Sequence, residues 1–274
     1  MSSSPAATFR DSRSWRELPD YLEILAKDAR ETIMRGYYNV ERSHATTGIG
    51  LKESILKCRK NHLIAEIKPA SPSRGIITKT TNVEELAFMM KRGGAAALSI
   101  LTEPKHFRGR TEYLIAAGDC SLPRLMKDIV IDPIQVEAAS KIGAEAILLI
   151  ESLFERGLCS KSLEEMITLA HDRGMEVLVE AHTEEEFEKA LNTQADLIGI
   201  NNRDLSTLQT DLNVTREILL SHSPRDHVVV SESGIETADD VRFLRGCGVD
   251  SFLVGSSIML APNPEEKVRE LVEA

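Results

Sequence analysis

Glu66 and Lys68 stand two residues apart at the end of an apolar run, HLIAEIK, just before the loop PASPSRG (69–75). On a β-strand, positions i and i+2 share a face, so a carboxylate and an ammonium leave this run side by side. Charges are costly to bury unless they are paired or put to use. An ionisable or amide side chain ends one apolar run after another further along, at Lys127, Glu180, Asn201 and Glu232. Two lysines and two glutamates around one lumen (Lys68, Lys127, Glu66, Glu180) hold a proton donor and a proton acceptor at neutral pH, as general acid–base chemistry requires. The bland alternative is a girdle of salt bridges that merely closes a barrel. Lys127 is followed by Asp128, and only one of two adjacent strand residues is expected to enter the lumen.

A second group of candidates lies near the end of the chain. SESG (231–234) supplies Glu232, Ser233 and Gly234, and GSS (255–257) supplies Gly255 and Ser256. Hydroxyls and glycines let backbone N–H groups approach an anion, although turns use the same residues freely. Ser71 and Arg203 offer further donors. In a (β/α)8 barrel the loops after strands 7 and 8 commonly hold phosphate.

The elements that must position these groups follow from the hydrophobic pattern. Eight short apolar runs alternate with amphipathic segments: 63–68, 96–101, 122–127, 146–151, 176–181, 197–202, 227–232 and 251–255. Their starts lie about 20 to 35 residues apart, the length of one βα unit. Runs such as AILLI and VVV lack polar alternation, as expected for parallel strands covered on both faces. Asp132-Pro133 opens a helix that Gly143 closes. Capping boxes are expected at Ser162/Glu165 and Thr183/Glu186, with weaker variants at Thr237/Asp240 and Asn82/Glu85. The pattern predicts an α/β fold, a closed (β/α)8 TIM barrel over 62–274, rather than an open sheet, for which the Gly-rich dinucleotide fingerprint is missing. Residues 15–61 read as an N-terminal helical extension packed on the barrel. One helix starts at Tyr21 and closes at Gly36, and another spans 51–60. Residues 1–14 read as disordered.

Composition agrees with a single domain of this kind. The chain has 274 residues, 42% of them hydrophobic and 4% aromatic, and a barrel interior of aliphatic side chains suits that low aromatic content. A net charge of −10 argues against binding nucleic acid or a membrane surface. Neither the four cysteines nor the seven histidines show metal-site spacing, so reduced thiols, no metal and no cofactor are expected. With no apolar signal region and no apolar stretch of 18 residues, a cytoplasmic enzyme is expected, monomeric or weakly homo-oligomeric.

Several stretches together resemble the indole-3-glycerol phosphate synthase family of tryptophan biosynthesis. They are IAEIKPASPSRG (64–75), LSILTEPKHFRG (98–109), LPRLMKD (122–128), LVEAH (178–182), IGINNRDL (198–205), VVSESGI (229–235) and FLVGSS (252–257). The resemblance implies a carboxy-lyase that closes 1-(2-carboxyphenylamino)-1-deoxyribulose 5-phosphate to an indole, losing CO2 and water. It implies that Lys127 donates to the carbonyl oxygen and that Glu66 orients Lys127 and touches substrate. Lys68 would hold the anthranilate carboxylate or protonate the departing hydroxyl, and Glu180 would serve the dehydration. Asn201 and Glu232 would bind hydroxyls, and Ser71, Ser233, Gly255 and Ser256 the phosphate, with help from Arg203. Pro72, Phe107, Leu148 and Leu208 would face the benzoate ring. Two departures from the family pattern stand in the first two loops: Pro69 after Lys68, and Arg108 and Arg110 in FRGR.

Other readings of the same run-ends stay open. A class I aldolase would use Lys127 as a Schiff base, which needs a depressed lysine pKa that nearby carboxylates oppose. Phosphoribosylanthranilate isomerase would share the barrel and the phosphate site, but its expected Cys/Asp pair is absent from the strand ends. A barrel that binds a phosphorylated metabolite without turning it over is the non-enzymatic alternative.

Overall fold

The computed structural model describes residues 21–41, 46–58, 60–78, 82–205, 207–224 and 227–274. The segment expected to be disordered, 1–14, lies outside them. Eight parallel strands close into a barrel in sequence order. They are β1 (His62–Ile67), β2 (Ala97–Leu101), β3 (Arg124–Lys127), β4 (Ala146–Ile150), β5 (Glu176–Ala181), β6 (Leu197–Asn201), β7 (Val228–Glu232) and β8 (Ser251–Val254). β8 returns to β1, with His62 opposite Ser251. Each expected run holds a strand, with ends shifted by a residue or two. The largest differences are that β3 begins at Arg124, and that Glu151 starts a short helix (Glu151–Glu155) instead of ending β4.

The period-2 alternation sorts the strand side chains into two cores. Leu63, Ala65, Ile67, Val177 and Val179 face outward and pack with the surrounding helices. Ile64, Ala97, Leu125, Leu148, Leu178, Leu197, Val230 and Leu253 face inward and fill the lumen. The helix punctuation mostly behaves as the sequence implies. Ser162/Glu165, Thr237/Asp240 and Asp132/Gln135 form complete capping boxes. Thr183 accepts from the Glu186 N–H, but the Glu186 carboxylate reaches one residue further back, to the His182 N–H at 2.7 Å.

The two helices that precede the barrel cover opposite ends of it. Helix α1 (Tyr21–Met34) packs Leu22, Leu25, Ala26 and Ala29 into the cluster that holds the lumen residues and Ile129, Ile131 and Leu153. Asp28 ties it to the β2 loop through Lys105 (2.8 Å) and His106 (2.7 Å). Helix α2 (Leu51–Lys57) is shorter than expected, because Cys58 is already extended. It sits where the strands begin: the Lys52 N–H donates to Glu176 (2.8 Å) and Ser54 Oγ to the Ala96 carbonyl (2.6 Å). At this same end Arg124 is fully buried against Glu145, with Nη2 3.3 Å from Oε1 and Nη1 donating to the Leu114 carbonyl. Removing one partner leaves the other charge stranded. Arg124→Ala is therefore expected to cost about 3–5 kcal/mol, read as a lower urea midpoint with unchanged m. A loss under about 1 kcal/mol would mean that Glu145 finds solvent or another partner.

Candidate active site

The opposite end, where the strands finish, opens into one cavity of about 1200 Å³ counting its open mouth. Every candidate catalytic and substrate-binding residue named from the sequence lines it. Strand parity is the reason: Glu66, Lys127, Glu180, Asn201 and Glu232 continue the inward-facing rows above the aliphatic plug. Lys127, not Asp128, enters the lumen. The Asp128 carboxylate turns outward, where it accepts from Tyr38 Oη (3.0 Å), Thr102 Oγ1 and the Ile129 N–H (2.8 Å).

The pairing inside the lumen differs from the expected one. Lys127 Nζ lies 3.1 Å from Glu180 Oε2 and also hydrogen-bonds Glu232 Oε2. Glu66 does not orient Lys127 directly; it forms its ion pair with Lys68 at 2.6 Å and accepts from Ser99 Oγ at 3.4 Å. The i, i+2 spacing brings Glu66 and Lys68 together, whereas the curvature of eight strands sets which carboxylates stand across from β3. Glu232, expected to bind hydroxyls, is thus one of the two carboxylates on Lys127. Glycines make this packing possible. A Cβ on Gly255 would lie 2.5 Å from Glu66 Oε1, and one on Gly199 would overlap Glu232 Oε1.

These contacts set the charges. Burial works against the Lys127 ammonium, but the Glu232, Glu180 and Glu66 carboxylates outweigh it and raise its pKa far above the usual lysine range. Burial would also raise Glu180. Lys127, then His182, and a hydrogen bond from Asn201 instead hold Glu180 below the usual carboxylate range. Glu232 is pushed up, first by burial and then by the Glu180 charge, against the pull of Lys127. Lysine protonated, one carboxylate charged and the other ready to hold a proton make a donor–acceptor set.

The rim is built from the loops. Loop 1 folds as a tight hairpin, Ala70–Ser71 against Gly75–Ile76, with Ser71 Oγ accepting from the Arg74 N–H at 3.2 Å. The Pro69 carbonyl accepts from the N–H groups of Ile77 (2.9 Å) and Thr78 (3.0 Å). Arg74 pairs with Glu236 across the mouth. At the β7 end Ser233 and Gly234 both take positive φ, 67° and 81°. Gly255 precedes a five-residue helix, Ser256–Leu260. Ser257 turns its hydroxyl away to the Ile235 carbonyl at 3.0 Å. Arg203 Nη1 donates to the Leu208 carbonyl at 2.6 Å, so this guanidinium organises the β6 loop and holds Leu208 at φ 60°. Pro72, Phe107, Leu148 and Leu208 give an apolar wall, which Tyr21, Leu22 and Leu25 of α1 extend.

Four residues of this region had no role in the sequence reading. Arg74 lies in the quoted PASPSRG loop, but its partner Glu236 is remote in sequence. The Glu103 carboxylate accepts from the backbone of Lys105 (2.9 Å), His106 (2.7 Å) and Phe107 (2.9 Å), and so sets Phe107. Asn202 is buried; its amide donates to Ser231 Oγ (2.9 Å) and to the Glu232 and Ser233 carbonyls, while its oxygen accepts from Thr215. These two side chains bond mostly to main chain, which leaves no spacing signal. His182 is the fourth, and its i+2 relation to Glu180 was a usable signal.

Known proteins resemble this chain over most of its length. The family model described as indole-3-glycerol phosphate synthase matches residues 22–271. An indole-3-glycerol phosphate synthase of Desulforamulus reducens is 44% identical over 213 residues, 77% of this chain and 79% of that protein. One of Methanocaldococcus jannaschii is 44% identical over 226 residues, covering 81% and 82%. Solved structures repeat the fold at low identity. They include a thiamine phosphate pyrophosphorylase from Pyrococcus furiosus (TM-score 0.54, 18% identity, 79% of this chain and 95% of that one). An N-acetylmannosamine-6-phosphate 2-epimerase from Clostridium perfringens is similar (0.57, 16%, 74% and 90%). With the family model spanning the barrel and its leading helices, and relatives at this identity over most of their own length, the chain belongs to the indole-3-glycerol phosphate synthase family.

Proposed function

We propose that this chain converts 1-(2-carboxyphenylamino)-1-deoxyribulose 5-phosphate to indole-3-glycerol phosphate, with loss of CO2 and water, in tryptophan biosynthesis. The observation that carries the reading is the Lys127 ammonium held between Glu180 and Glu232 at the floor of a cavity with one apolar wall. Ring closure adds the carboxyl-bearing aromatic carbon to the C2 ketone, whose oxygen becomes a hydroxyl. Lys127 donates a hydrogen bond to that oxygen and yields its proton as negative charge develops there. Loss of CO2 follows. Lys68, anchored by Glu66, holds the anthranilate carboxylate and then faces the departing hydroxyl. Glu180, the ionised carboxylate, takes the ring proton during dehydration, and Asn201 and Glu232 hold the hydroxyls. The phosphate sits at Ser71, Ser233, Gly234, Gly255 and Ser256, with Arg203 shaping the loop beside it. The benzoate ring lies on Pro72, Phe107, Leu148 and Leu208. A Schiff-base mechanism needs a neutral amine, and the raised Lys127 pKa works against one.

The reading takes 62–274 as one barrel domain with 15–61 as its extension, acting in the cytoplasm as a monomer or weak homo-oligomer. Among the described residues no helix is long and apolar enough to cross a membrane. Expression in a bacterium that lacks this enzyme should restore growth without tryptophan; no growth despite folded protein in the cells would count against the reaction. The phosphate assignment has its own test. Ser256→Asp brings a carboxylate to within ~4 Å of a dianion, a repulsion of about 1 to 4 kcal/mol depending on local dielectric. KM should rise about fivefold or more with kcat little changed, because the phosphate is held alike throughout the reaction. Ser257→Ala, which loses only the internal bond to Ile235, should leave KM where it was. An unchanged KM in Ser256→Asp would move the phosphate elsewhere.

A further inference from the structure

We propose that His182 is a positioning residue for the reaction: it clamps the Glu180 carboxylate from the side opposite Lys127 and keeps it ionised, with Glu186 anchoring the imidazole. The inference rests on the reading of Glu180 as the base.

The geometry around the ring is specific. His182 directly follows β5, two residues beyond Glu180, and its side chain is 9% exposed. Nε2 lies 3.3 Å from Glu180 Oε1 and Nδ1 lies 3.5 Å from Glu186 Oε2. Neither nitrogen makes an aligned hydrogen bond to any described group, so the two carboxylates are met as ion-pair contacts. Both nitrogens therefore face carboxylates, and a neutral imidazole would turn one lone pair against an anion. The doubly protonated ring satisfies both sides. Burial lowers the His182 pKa, but Glu186, Glu180 and Glu232 outweigh it and raise it. Glu180 is then held at both oxygens, Oε2 by Lys127 and Oε1 by His182.

Glu186 is fixed for this task by the altered helix cap. In an ordinary capping box the N3 carboxylate returns to the N-cap N–H; here it reaches the His182 N–H instead. The surrounding charges are accounted for. Lys127 and Glu232 face Glu180 from the lumen, and Lys68 is paired with Glu66. Behind Glu186 stand Glu151 and Glu155, and Lys189 bridges Glu155 and Glu185. His222 lies 3.4 Å from Glu184 on the same helix end. Lys189 is committed to Glu155 and Glu185, which leaves His182 as the cation at 3.3 Å from Glu180 on this side.

The test compares His182→Gln, a neutral donor of similar reach, with Glu186→Gln, which keeps the imidazole and removes its anchor. Rates on the carboxyphenylamino-deoxyribulose phosphate are measured from pH 4 to 9, beside thermal unfolding and 15N NMR of histidine-labelled protein. His182→Gln should lower kcat about 10- to 100-fold with KM nearly unchanged. The acid limb of its pH profile should move up by about 1–3 units, because a cation that favoured the charged form of Glu180 is gone. Glu186→Gln should shift the limb less, in the same direction, and lower the His182 pKa. If His182→Gln does not fold, Glu186→Gln carries the same prediction. An unshifted acid limb, or a His182 ring that is neutral at pH 7 in the unaltered protein, overturns the proposal. If Glu180→Gln is inactive while His182→Gln is normal, only the role of His182 falls. If Glu180→Gln itself keeps most activity, the base lies elsewhere and both assignments fall.

Discussion

Lys127→Ala should lower kcat by about 10²–10⁴-fold, the usual effect of removing a positioned general acid, while KM changes little. The ammonium acts on charge that appears only as the ketone oxygen is attacked, so its loss falls on the transition state rather than on substrate binding. The substitution should not unfold the protein. Lys127 keeps 18% of its side chain exposed to the cavity, and the two carboxylates it leaves behind can share one proton. Glu232, already pushed up by burial, is the one to take it. A single-turnover experiment isolates the chemical step. A drop of less than tenfold there removes Lys127 from the mechanism and makes the cluster a structural girdle.

Glu180→Gln should also cost about 10²–10⁴-fold in complete turnover, but it should stop the reaction at a different point. The amide keeps the shape and can still contact Lys127 and Asn201, so ring closure and loss of CO2 proceed. Dehydration, which needs a base, does not. The first turnover should therefore release CO2 ahead of indole fluorescence, and a ring-closed, undehydrated species should be recovered by rapid quench. The variant also takes one carboxylate from Lys127, whose pKa should fall toward the usual range, since Glu180 is among the charges that raise it. Equal loss of CO2 and indole would place Glu180 at ring closure instead.

The barrel was legible because its signals are local. Apolar runs at βα spacing give the strand count, and the charged or amide residues near the ends of several of them give the face on which Glu66, Lys127, Glu180, Asn201 and Glu232 emerge. What stayed hidden is set by relations across the lumen. Nothing local distinguishes Glu66 from Glu232 as the partner of Lys127, because strand tilt and the room left by Gly199 decide it. Glu103 and Asn202 were invisible for a different reason: each holds main-chain groups of a loop, a role that any buried carboxylate or amide can fill. The sequence predicts the N-terminal helices as an extension packed on the barrel. Their division into a mouth-side helix and one at the strand starts appears only where Asp28 meets Lys105 and Glu176 meets Lys52. His182 falls between these cases. Its parity with Glu180 is local, but the carboxylate behind it is reached only through a helix cap that departs from the expected capping box.

The most direct measurement is incubation of the purified chain with 1-(2-carboxyphenylamino)-1-deoxyribulose 5-phosphate, following indole fluorescence and CO2 together. One CO2 per indole-3-glycerol phosphate is the predicted result, with no added metal or cofactor needed and no adduct on Lys127 after borohydride treatment. Folded protein that binds this substrate and releases neither product, or a borohydride-trapped adduct on Lys127, would contradict the account.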